Sequence, residues 1–151
     1  AEATKGEVVM FEGSVATTYY TASLRGHSEN NELFWTSKSF STKSLESLKG
    51  TPVGYLRGID DSSWTYKNKY YNWEWKTNSF SLEKLKEILS PTIAINTGAS
   101  DRVWGLTITG DKSTVFLTGW KFKSMINDYL YDFTNDRNYI FSTEFTIKEV
   151  N

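Results

Sequence analysis

Aromatic side chains spread through short β-prone runs constrain this chain more than any other feature. Nine Phe, nine Tyr and six Trp, 16% of 151 residues, stand beside only two prolines and no cysteine. Without disulfides or thiolate metal sites such a chain is held by its core, and its length suffices to bury one. Most of the rings are therefore expected inside, where large aromatics of β-rich domains pack. Any excess over the needs of the core can stack on the apolar faces of sugars, and a carbohydrate reading starts there.

Charge narrows the classes further. Seventeen basic residues face eighteen acidic ones with no basic run. A nucleic-acid partner needs a clustered positive footprint, so none is expected. No stretch has the length of a membrane span and no secretory leader is visible. The sequence opens on Ala1 rather than Met, as either a processed product or a recombinant piece would, and the lack of cysteine suits an exported protein.

Turn signals divide the chain. Glu7 to Phe11 and Val15 to Ala22 flank Glu12-Gly13, the pattern of a hairpin. A polar loop, Ser23 to Glu32, follows. Residues 36–52, rich in Ser, Thr and Lys, are expected to be the most mobile part, with at most a short helix at Leu45 and Leu48. Tyr70 to Thr77 alternates as a strand, with Tyr71, Trp73 and Trp75 on one face, where core packing is the plainer account. Ser81 caps a helix that Pro91 stops. Thr92 to Asn96 and Arg102 to Thr109 read as strands joined by a Gly98-to-Asp101 turn, and Thr114 to Leu117 follows Gly110-Asp111. Phe122, Met125, Ile126, Tyr129 and Leu130 have helical spacing, and a last strand is expected over Tyr139 to Val150. The expected fold is a single α+β domain, mostly antiparallel β with two short helices.

The ordered set of segments resembles the stage II sporulation protein D family of cell-wall lytic transglycosylases and amidase enhancers. Thr4 to Val8 (TKGEV) is similar to the T-x-G opening of a hairpin, and Tyr20 to Asn30 (YTASLRGHSEN) to the signature loop Y-x-[SA]-[ST]-x-G-G-x-T-E. Trp35 matches the tryptophan after that loop. Tyr55 to Asp60 (YLRGID), Phe80 to Leu85 (FSLEKL), Asp101 to Val103 (DRV) and Ser142 to Ile147 (STEFTI) resemble later family segments in the same order. Leu24 and Arg25 depart from it, Arg25 standing where the first of two glycines is usual. Such a change removes backbone freedom from a loop suited to close approach.

The resemblance implies an extracytoplasmic, cell-wall protein acting on peptidoglycan. In the lytic transglycosylase reaction one carboxylic acid protonates the glycosidic oxygen, and the sugar's 6-hydroxyl closes on the anomeric carbon. No paired carboxyl is needed, unlike ordinary glycosidases. The family's glutamate lies before the T-x-G hairpin, in a segment that this sequence does not contain, so no catalytic residue is expected in it. What it is expected to supply is the half that holds peptidoglycan glycan strands, with no cofactor. The alternative is a non-catalytic module that stimulates a cell-wall N-acetylmuramoyl-L-alanine amidase, which the altered Leu24-Arg25 loop favours.

The candidate glycan contacts are Tyr20, Ser23, Arg25, Gly26, His27, Ser28, Glu29, Trp35 and Asp60. Tyr20 and Trp35 flank the loop as stacking rings. Ser23 and Ser28 offer hydroxyls, and Glu29 and Asn30 offer acceptors to sugar hydroxyls. Equally, Ser28, Glu29 and Asn30 are the residue types that cap local turns. Arg25 suits a lactyl carboxylate but is also an ordinary solvated arginine. His27, the sole histidine, lacks companions for a metal, so a solvated loop residue is expected and no metal site. Asp60 either orients a ligand or starts a turn before Asp61-Ser62-Ser63.

Overall fold

The computed structural model describes residues 2–20, 26–60, 92–134 and 142–147. The expected strand at Tyr70 to Thr77, the helix at Ser81, and the loop residues Ser23, Leu24 and Arg25 lie outside these. Among the described residues the architecture is α+β, with antiparallel sheets and two α-helices. In chain order the elements are β1 (Met10–Phe11), β2 (Ser14–Val15), α1 (Asn31–Phe34), β3 (Phe40–Ser41), a 3-10 turn (Glu46–Leu48), β4 (Thr92–Thr97), β5 (Val103–Thr109), β6 (Thr114–Thr118) and α2 (Gly119–Thr134).

β1 and β2 form the hairpin expected around Glu12-Gly13, paired Met10 to Val15 and Phe11 to Ser14. Glu12 and Gly13 both take positive φ, 48° and 80°, the pair of conformations that matches a two-residue turn to strand twist. The regular pairing is shorter than the apolar runs because most of the hairpin's side chains remain exposed.

The larger sheet has the order β3-β6-β5-β4, antiparallel throughout. Both turns read from the sequence, Gly98 to Asp101 and Gly110-Asp111, connect its strands. The register of β4 on β5 shifts between Asn96 and Thr97, which pair with Gly105 and Val103, leaving Trp104 as the extra residue. A bulge resets the two-residue alternation. Val103 and Leu106, three apart, consequently share one core with Leu117, Phe122 and Ile126.

α2 supplies Phe122 and Ile126 to that core, the helical stripe expected from the sequence, while Met125 stays largely exposed. The helix starts at Gly119 because Thr118 caps it, its Oγ1 accepting the Lys121 N–H at 3.1 Å. Residues 142–147 form no strand, contrary to expectation. Ser142 Oγ takes the Glu144 N–H at 3.1 Å in a local turn, a bond that competes with a ladder. Among the described residues one backbone link remains, from the Val103 N–H to the Thr143 carbonyl at 2.9 Å. Phe145 and Ile147 still pack on the core, Phe145 stacked with Phe122 at 5.6 Å between ring centres.

The segment 36–52 is tied into the fold rather than loose. β3 pairs with β6, Leu48 is completely buried, and the Ser37 N–H donates to the Leu48 carbonyl at 2.9 Å. Leu45 lies so close to Gly105 that a side chain there would meet its Cδ1 at 2.7 Å. The short helix expected at Leu45 and Leu48 is present as the 3-10 turn Glu46–Leu48, and these two leucines cap this region of the sheet.

Candidate functional site

Residues 26–35 run between two other segments and are stitched to both. His27 and Asp60 form an isolated antiparallel bridge. The Ser28 N–H donates to the Ile59 carbonyl at 2.9 Å, and Ser28 Oγ accepts the Ile59 N–H at 2.9 Å. Asn30 Oδ1 accepts the Gly58 N–H at 2.9 Å. Gly58 is needed here because a Cβ would press on the Ser28 carbonyl at 2.6 Å.

The next turn of the chain makes a denser knot. Asn31 is buried; its Nδ2 donates to the Thr51 carbonyl at 2.8 Å, and its Oδ1 accepts the Val53 N–H at 2.8 Å and Arg57 Nη2 at 2.7 Å. Arg57 also pairs with Glu32. The hydrogen bond from the Arg57 guanidinium, against the opposing effect of burial, holds the Glu32 carboxyl below the usual glutamate range. Glu32 is thereby kept ionised and has no proton to give near neutrality.

Glu29 reaches in the other direction. Its Oε1 accepts the Asn30 N–H at 2.9 Å and the Ala99 N–H at 3.1 Å. Its Oε2 accepts the Ser100 N–H at 3.3 Å and Ser100 Oγ at 2.6 Å. Gly98 permits this, since any Cβ there would collide with the Glu29 carboxylate. Ser28, Glu29 and Asn30 thus spend their side chains on remote segments of the protein, not on solvent-facing acceptors.

The rings around the loop are disposed differently. Tyr20 is 96% exposed, Tyr19 60%, Phe34 51% and Trp35 44%. Tyr19 and Trp35 lie 4.3 Å apart between ring centres at 44°, and Phe34 meets Trp35 edge-on at 5.2 Å. The sequence singled out Tyr20 and Trp35; Tyr19 and Phe34 were missed, although each is the neighbour of one of them. α1 fixes the position of Phe34 and Trp35, because the Trp35 N–H closes its last turn on the Asn31 carbonyl at 2.7 Å.

His27 Nδ1 lies 2.6 Å from the Ser28 carbonyl, which can only accept, so Nδ1–H is the donor of this bond. Gly26 takes a positive φ of 76° with open space where a side chain would stand. Arg25 and Ser23 lie outside the described residues. Among the described residues, no group of three or more His, Asp or Glu gathers as a metal site, and no helix is long and apolar enough to cross a membrane. The arrangement is therefore a cluster of exposed rings, Tyr19, Phe34 and Trp35, with the exposed Tyr20 next to Tyr19 in the chain. The side chains of Ser28, Glu29, Asn30 and Asn31 are spent on holding residues 28–35 to the rest of the protein. Comparison with known proteins finds no match to this chain among family models, curated proteins or solved structures.

Proposed function

We propose that this chain binds the glycan strands of peptidoglycan without cutting them, as the substrate-holding part of a lytic transglycosylase-like cell-wall protein. The observation that carries the reading is the exposed cluster of Tyr19, Phe34 and Trp35 beside the fully exposed Tyr20. Sugar rings present apolar faces, and exposed aromatic faces held rigidly lose little entropy on meeting them. A rigid backing is supplied by the hydrogen bonds of Asn31, Glu32 and Arg57. Two carboxylates of the same stretch are engaged, Glu29 by amide and hydroxyl donors and Glu32 by Arg57. Glu32, held ionised by that pairing, lacks the proton that glycosidic-oxygen protonation requires. The test is sedimentation of the purified chain with denuded glycan strands, with product analysis for anhydro-sugar ends. Binding without such ends is expected, and their release by this chain alone would defeat the non-cutting reading.

One observation favours a second reading. Among the described residues of the signature-like loop, Ser28, Glu29 and Asn30 are turned to internal partners. A module that stimulates a cell-wall amidase needs only a stable surface, not sugar-facing acceptors. That reading expects faster amidase turnover on mixing, with no affinity for glycan strands.

A further inference from the structure

We infer that the Gly98–Asp101 turn is a carboxylate-binding site, and that Glu29 is its tethered ligand. Three donors of one turn, the Ala99 N–H, the Ser100 N–H and Ser100 Oγ, converge on a carboxylate from a segment some seventy residues away in the chain. The turn closes on itself through the Asp101 N–H to the Gly98 carbonyl at 3.3 Å, with Asp101 at a positive φ of 58°. Successive N–H groups in such a conformation point into a concavity suited to anions. Gly98 leaves that concavity open, since any Cβ there would occupy the position of the carboxylate. Ser100 is buried at 8% exposure, so its hydroxyl is held in place. Among the described residues no cation pairs with Glu29; its charge is met by amide and hydroxyl donors. A receptor built from backbone N–H groups and one hydroxyl reads the carboxylate and not the rest of the residue bearing it. The ligand class is therefore any small carboxylate, and this inference does not depend on the glycan reading.

Chemical rescue tests it. The Glu29→Ala chain is melted at constant ionic strength in sodium acetate, sodium chloride, or chloride with acetamide. Its midpoint is expected below that of the parent chain and to rise by at least about 2 °C at about 200 mM acetate. Chloride and acetamide are expected to give no rise, and the Glu29→Ala, Ser100→Ala double variant is expected to lose most of the response to acetate. If Glu29→Ala is unfolded in chloride, the same titration followed by circular dichroism reads acetate-driven folding. Equal effects of acetate and chloride, or an acetate response unchanged by Ser100→Ala, would overturn the assignment.

Discussion

Arg57 grips Glu32 with both arms of its guanidinium, Nη1 at 3.0 Å from Oε1 and Nη2 at 2.6 Å from Oε2. The same Nη2 reaches Asn31 Oδ1 at 2.7 Å and the Val53 carbonyl at 3.1 Å. One side chain thus joins α1 to the 53–57 loop. Arg57→Ala is expected to cost about 1–2 kcal/mol in urea unfolding, since it removes the two-armed partner of Glu32 and one partner of the buried Asn31 from a pair whose arginine end is partly open to solvent. Arg57→Lys is expected to recover less than half, because a point charge does not reproduce the fork. The pair also sets a pH dependence. Because the folded-state pKa of Glu32 is depressed, its stabilisation is present above the unfolded value and is lost as pH falls through the folded one. Urea midpoints taken from about pH 7 to about pH 3 should fall more steeply for the parent chain than for Arg57→Ala.

Asn31 is the buried hub of the same knot. Truncating it to Ala leaves the Val53 N–H and the Thr51 carbonyl without their partners. A loss of about 2–3 kcal/mol is expected. Asn31→Asp keeps Oδ1 for Val53 and Arg57 but gives up the donor to Thr51, so it should fall between. Chemical denaturation of the three proteins side by side checks the order.

Elements fixed by local signals were legible in the sequence. The Glu12-Gly13 and Gly110-Asp111 turns, the β4-β5-β6 meander and the Phe122, Ile126 stripe of α2 each depend on residues within a few positions of one another. The exposed rings of Tyr20 and Trp35 were legible as candidates too. What was not legible depends on partners far along the chain. Glu29 reads as a sugar acceptor or a local cap until the 98–101 turn is seen beside it. Residues 36–52 read as loose because the partners that hold them, β6 for Phe40-Ser41 and Gly105 for Leu45, lie some sixty or more residues along the chain. The Ser142 to Ile147 segment has the alternation of a strand and places Phe145 and Ile147 inward, yet its Ser142 hydroxyl closes a local turn.

Gly98 and Glu29 should behave as one unit. Gly98→Ala drives a methyl group into the carboxylate, so it is expected to destabilise the parent chain by about 1–3 kcal/mol. In the Glu29→Ala background that collision is gone, and the cost should shrink by at least about 0.5 kcal/mol. A double-mutant cycle by equilibrium unfolding measures this coupling, and strict additivity would contradict it.

The core gives a control for these site variants. Leu106 is completely buried between β4 and β6 and beneath α2, while Met125 on the same helix is 46% exposed. Leu106→Ala is expected to cost about 2–5 kcal/mol. Met125→Ala should change stability by no more than about 0.5 kcal/mol. Thermal melts of both variants test whether α2 covers the sheet through the Phe122, Ile126 face.

Affinity for denuded peptidoglycan glycan strands, compared between the parent chain and Trp35→Ala, tests the central claim most directly. Trp35 is met by both Tyr19 and Phe34, so its removal dismantles the aromatic surface while leaving the Asn31–Arg57 knot in place. The expected result is saturable binding by the parent chain and a loss of about tenfold or more in Trp35→Ala, with unchanged circular dichroism. Equal affinity of the two proteins, or no binding by either, would contradict the assignment of this surface to glycan.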